Sequence, residues 1–158
     1  MPRTVARLAL AALLIAAGAA HLTVLRRGYR IVVPDWATRV LRTDKDMIVV
    51  ASGAVELMLG AGLVALPRER ARIGAAIAAF FIAVFPGNVH QWRTRRSAPG
   101  LDTDARRLAR LFLQPLLVAW ALWAGGLDRD RPGHGDEANA IVGHGISRET
   151  PAFGCLSW

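Results

Sequence analysis

Four polar side chains stand inside long apolar stretches of the sequence, and their types could support chemistry. They are His21, Glu56, Asn88 and Gln114. If these stretches cross a membrane, an ionisable group within them costs about 3 kcal/mol or more and therefore usually serves a function. A carboxyl group such as that of Glu56 must be neutral, paired or bound to a ligand there. The four residues therefore predict a polar site inside an apolar domain.

The stretches that carry these residues are long enough to cross a bilayer. About 20 apolar residues at about 1.5 Å per residue cover the hydrocarbon core as a helix. Four such stretches in 158 residues leave too little polar sequence to coat them in water. We therefore predict an all-α, integral membrane four-helix bundle that occupies residues 1–127. The predicted spans are residues 4–25, 46–66, 71–92 and 106–126.

The remaining sequence limits the classes of function. Residues 128–158 are polar and rich in glycine, which predicts a disordered tail. The net charge of +8 comes mostly from arginines in the connections between spans, where they contact anionic lipid, so we do not expect nucleic-acid binding. Cys155 is the only cysteine and cannot form an internal disulfide or a dithiol pair. We predict no metal site.

The predicted topology brings the four polar residues to similar depths. The connections 26–46 and 93–110 hold more basic residues than the other side, which favours a cytoplasmic location for them. Arg3 and Arg7, which precede the first span, favour the opposite orientation. At about 1.5 Å per residue, the four polar residues lie roughly 5–15 Å inside the side of those two connections. We predict that they surround one pocket, with connection 26–46 as its lid.

A purely structural role is the alternative for part of this set. Pro86 and Pro115 each remove a backbone donor and free a carbonyl group one turn earlier, at Ile82 and Leu111. Polar side chains nearby could satisfy these groups and hold the helices together. Asn88 and Gln114 are candidates for that role. For His21, ordinary hydrogen bonding near the membrane interface is the corresponding alternative, whereas Glu56 near the midplane is harder to explain structurally.

Several segments in order resemble DoxX-like membrane proteins. These are Ala17–His21, Ser52–Leu57 with Gly60–Leu63, Phe85–His90, and the stretch from Arg107 to Leu117 that contains Gln114-Pro115. The resemblance implies a four-helix bundle in a bacterial cytoplasmic membrane. Some members of that family are subunits of a thiosulfate:quinone oxidoreductase, and others are linked to oxidative stress. The related fold of vitamin K epoxide reductase uses paired cysteines, which these spans lack.

Three functional hypotheses follow. In the first, the protein binds a small quinone-like molecule between its spans, at His21, Glu56, Asn88 and Gln114, and an arginine group at the start of the fourth span attracts an anion. In the second, it is a non-catalytic subunit or scaffold for a membrane or soluble oxidoreductase. In the third, it is an enzyme in which Glu56 and His21 move protons to a bound quinone, although no haem, flavin or cysteine motif is present to carry electrons. The arginine group of the first hypothesis consists of Arg106, Arg107 and Arg110.

Transport is a further alternative. Four short spans would have to form a homo-oligomer to enclose a transport path.

Overall fold

The computed structural model describes residues 2–98 and 100–126, and this part of the chain is helical, without strands. The predicted all-α four-helix bundle is confirmed, whereas the predicted disordered tail lies outside the described residues. Two short helices, α2 and α3, lie between the first two long ones. The long helices are α1 (Pro2–Leu22), α4 (Lys45–Ala65), α5 (Arg70–Arg93) and α6 (Asp104–Gly125), the short ones are α2 (Arg26–Tyr29) and α3 (Asp35–Leu41), and a 3-10 turn covers Pro67–Glu69.

The ends of the long helices follow from local hydrogen bonds. Asp44 caps α4 by accepting a bond of 2.7 Å from the Met47 amide, and Thr103 caps α6 in the same way through the Arg106 amide. The first helix ends at Leu22, three residues before the predicted end of the first span at residue 25. The Leu25 amide bonds back to the Ala20 carbonyl over 2.9 Å, which turns the chain out of the helix.

The bundle consists of two closely packed helix pairs, α1 with α4 and α5 with α6. We call the end that carries the connections 23–44 and 94–103 the near end, and the opposite end the far end. Towards the far end the two pairs share an apolar core, and the Trp120 indole donates to the Ala6 carbonyl over 3.2 Å. The buried core consists of Leu10, Ala11, Leu14, Leu63, Ile77, Ala78, Phe81, Ala121 and Ala124.

Glycines allow α1 and α4 to approach until their backbones touch. A Cβ atom on Gly18 would lie only 2.6 Å from the Gly53 carbonyl oxygen, and one on Gly53 would lie 3.0 Å from both the Gly18 carbonyl oxygen and the Cβ of His21. Helices in a membrane associate mainly through close van der Waals packing, and small residues allow their backbones to approach closely enough for it. The approach fixes His21 against α4.

Four helices of the described chain are long and apolar enough to cross a membrane. Their outward faces carry large apolar side chains, for example Met58, Ile82 and Phe112, each at least 60% exposed. In water such a surface would be costly, whereas lipid is its natural solvent. The chain is therefore a multi-pass membrane protein.

We predict that Gly18→Ala lowers the free energy of unfolding of the detergent-solubilised protein by about 1–3 kcal/mol, because the added methyl group forces the backbones of α1 and α4 apart. Thermal unfolding followed by far-UV circular dichroism measures this effect. Gly62→Ala is the matched control, since its Cβ would make only an ordinary 3.5 Å contact with Ile73. Equal stability of the two variants would show that the contact between α1 and α4 tolerates separation.

Candidate ligand site between the helices

A cavity of about 420 Å³ lies between α4 and α5 in the near half of the bundle. Its walls are mostly apolar, with a small number of polar side chains among them. The connection between α1 and α4 covers one side, because α1 ends early and leaves space that the connection fills. The lining includes Val32, Val33, Trp36, Ala37, Val40 and Leu41 from the connection, Ile48, Val49 and Ser52 from α4, and Phe80, Ala83, Val84 and Gly87 from α5.

His21 and Glu56 form a polar pair in the cavity wall. The Nδ1 atom of His21 lies 2.9 Å from the Oε2 atom of Glu56. Glu56 is only 7% exposed, so its carboxyl group is withdrawn from solvent. The approach lacks the alignment of a hydrogen bond, and neither atom has another hydrogen-bond partner in the described chain. Both side chains line the cavity.

A tyrosine and an arginine complete the polar part of the lining. The ring of Tyr29 lies against the His21 ring with 4.5 Å between centroids, and the Arg110 guanidinium lies 5.4 Å from the Tyr29 centroid. This second contact is a cation–π interaction. Tyr29, the only tyrosine of the chain, thus contacts both His21 and Arg110 at the cavity. Its role was not predicted, and its position eight residues beyond His21 is a weak signal.

Asn88 and Gln114 join α5 to α6 by a chain of hydrogen bonds. The Asn88 amide donates to Gln114 Oε1 over 3.0 Å, and Gln114 Nε2 donates to the Phe81 carbonyl over 2.6 Å. The sequence predicted that polar side chains would satisfy a carbonyl near Pro86, and the carbonyl reached is Phe81, one residue before the expected Ile82. Asn88 also lines the cavity, whereas Gln114 lies behind it. The structure therefore brings three of the four predicted site residues to the cavity.

Ion pairs hold the connection over the cavity. Arg26 and Arg30 both contact Asp46 at the start of α4, with 2.7 Å between Arg30 Nε and the carboxylate. Lys45 pairs with Asp35, and its hydrogen bond and charge lower the pKa of that carboxyl group. Asp35 therefore stays ionised at neutral pH. Beneath these pairs, Val33, Ala37 and Val49 form a small second core. The connection thus occupies the position of the predicted lid.

The three arginines expected to attract an anion have different surroundings. Arg106 is exposed and pairs with Asp102 over 2.6 Å. Arg107 is buried, but it donates to the Leu101 carbonyl and to Asp104. Only Arg110 of this group lines the cavity. Among the described residues, no three His, Cys, Asp or Glu side chains come together in an arrangement that could hold a metal ion.

A family model described as a domain of unknown function, DUF8561, matches residues 10–125. The chain belongs to this family. No curated protein and no solved structure matches the chain. The match extends from α1 to the end of α6, so that the cavity and all of its lining lie inside the DUF8561 domain.

For the DUF8561 domain, we predict that His21 and Glu56 are energetically coupled. His21→Phe leaves the buried carboxyl group of Glu56 without its partner and should destabilise the protein by about 3 kcal/mol. In a Glu56→Gln background, the same change should cost about 1–3 kcal/mol less, because no buried acid remains to be paired. A double-mutant cycle of thermal unfolding measures the coupling. Strictly additive effects would show that the two side chains are merely neighbours.

Gln114→Leu should destabilise the domain by about 1–3 kcal/mol, since the Asn88 amide and the Phe81 carbonyl both lose a partner. Phe112→Leu, on the outward face of the same helix, is the control and should change stability little. The unfolding temperatures of the two variants, each compared with the wild type, measure this difference in stability. If Gln114→Leu were as stable as the control, the hydrogen bonds between α5 and α6 would contribute nothing measurable.

Proposed function

We propose that this protein binds a small, quinone-like amphiphile in the cavity between α4 and α5, within a bacterial cytoplasmic membrane. The observation that carries the proposal is the combination of a mostly apolar cavity with the buried pair of His21 and Glu56 in its wall. Pockets for small molecules typically have apolar walls and a few polar groups that orient the ligand. A cavity of about 420 Å³ is within the usual size range for such pockets.

The distribution of side chains gives the bound molecule a direction. Its polar head lies beside His21, Glu56 and Arg110, which converge on one part of the cavity. Its apolar body lies along the connection, where Val40 and Leu41 are 71% and 60% exposed at the edge of the cavity. This apolar edge suits entry from the bilayer, since a lipid-soluble molecule can reach the cavity without crossing a polar surface.

The polar pair can also exchange a proton with the head of the bound molecule. The carboxyl group and the imidazole lie 2.9 Å apart in the cavity wall, and both are groups that bind and release protons. A quinone-like head offers carbonyl oxygens that accept such bonds. Binding, with an associated proton exchange, is therefore the proposed activity; an oxidoreductase partner would have to supply electrons.

The resemblance to DoxX-like proteins supports the same proposal. The segments that carry it include His21, Glu56, Asn88 and Gln114, and the first three line the cavity. A DoxX-like membrane protein that presents a quinone to an oxidoreductase combines this resemblance with the ligand site. The near end, with its excess of arginines, then faces the cytoplasm.

Native mass spectrometry of protein extracted gently from its own membrane tests the proposal. We expect the wild type to carry a small amphiphile, and Glu56→Gln to lose at least about nine-tenths of it, as removal of one charged hydrogen-bonding group predicts. Glu69→Gln is the matched control, because Glu69 lies in the exposed turn at the far end and pairs with Arg72. An unoccupied wild type that also fails to take up a short-chain quinone would contradict the proposal and favour a scaffold without a ligand of its own.

A further inference from the structure

Arg110 is a charged side chain without a charged partner, placed at a cavity in the membrane-spanning part of the bundle. It lies six residues beyond the start of α6, about 9 Å along the helix axis. Within the described chain it makes no ion pair, and its Nη1 atom is buried without a hydrogen bond. Its contacts are with Tyr29, through the ring face and a side-chain hydrogen bond. A partly buried guanidinium without an ion pair is costly unless something else neutralises it.

Other arginines near this end of the bundle form ion pairs with aspartates of the chain. Asp46 pairs with two arginines, Asp102 with Arg106, and Asp104 with Arg107. The remaining acid near the cavity is Glu56, which is close enough to act on Arg110 electrostatically but forms its contact with His21 instead. Arg110 therefore lines the cavity without an ion pair of its own among the described residues.

We infer that the cavity selects an amphiphile whose head carries an oxyanion, and that Arg110 binds this group. The inference rests on the proposed amphiphile site and concerns the head group of its ligand. A guanidinium binds carboxylate and phosphate oxygens through paired N–H donors, and in a site of low polarity such bonds are strong. Tyr29, which contacts both Arg110 and the His21 ring, carries a hydroxyl group that can donate a further hydrogen bond.

Cavity size and depth favour a single-chain acid over a membrane phospholipid. A volume of about 420 Å³ is near the lower end of the range for small-molecule pockets, which suits one chain better than two. The phosphate of a bilayer lipid stays in the headgroup layer, whereas Arg110 lies about one and a half helical turns below the start of α6. The carboxylate of a free single-chain acid can enter to that depth when it pairs with Arg110.

The test compares three probes on the intact, delipidated protein by native mass spectrometry: decanoic acid, decanol and a neutral short-chain quinone. We expect the acid to bind at least about 10-fold more tightly than the alcohol, as one charge-assisted contact predicts. Arg110→Gln should abolish this preference by weakening decanoic acid binding at least about 10-fold. Arg110→Lys keeps the charge and should retain part of the preference. Arg106→Gln, one turn earlier and exposed, is the control and should behave as the wild type.

The outcomes separate this inference from the function on which it rests. Equal binding of decanoic acid and decanol would overturn the inference but leave an amphiphile site in place. An equal loss in Arg106→Gln and Arg110→Gln would also overturn it, because surface charge alone would then explain the preference. If phosphatidylglycerol, added to the delipidated protein as a competitor, excluded decanoic acid, the oxyanion would come from a bilayer lipid and the single-chain assignment would be wrong. Failure of all three probes to bind would overturn the proposed function itself.

Discussion

The burial of one carboxyl group, that of Glu56, is the constraint on which the near half of this bundle depends. An acid placed eleven residues into an apolar helix needs a polar partner, since neither lipid nor apolar side chains can solvate it. His21 is that partner. It lies in the last turn of α1, which ends at Leu22, and Gly18 and Gly53 let this end of α1 touch α4. The early end of α1 in turn leaves space beside α4, which the connection with α2 and α3 fills. The cavity is thus a geometric consequence of pairing this acid.

The two ends of the bundle solve different packing problems. At the far end, small and medium apolar residues close the space between the helix pairs, and a tryptophan on α6 bonds to the backbone of α1. At the near end, the cavity lies between α4 and α5, and hydrogen bonds from Asn88 to Gln114 and from Gln114 to the Phe81 carbonyl join α5 to α6. Close apolar packing at the far end and hydrogen bonds at the near end hold the helices in place around the cavity. Without them, apolar side chains would fill this space.

The sequence predicted much of this arrangement because its strongest signals are local. Uncharged length alone identifies the four long helices, and helical rise alone places His21, Glu56, Asn88 and Gln114 at similar depths. Which side of a helix faces a cavity depends on packing, however. Asn88 therefore lines the cavity, whereas Gln114 contacts Asn88 without lining it. Tyr29 could not be assigned for a similar reason: its position depends on how a connection folds back over a helix end. The end of α1 at Leu22 reflects a backbone turn that hydropathy does not detect.

Arg107 and Arg110 show how position on one helix separates structural from functional charge. They lie three residues apart and therefore on neighbouring parts of one face. Arg107 is near enough to the helix start to reach the Leu101 carbonyl and to pair with Asp104, so that its charge is balanced within the chain. Arg110, one turn deeper, is beyond the reach of that loop and has Tyr29 as its neighbour, with Glu56 acting only electrostatically. Because a charge that serves only the fold can be neutralised by the fold, the proposed binding of an oxyanion falls to Arg110 and not to Arg107.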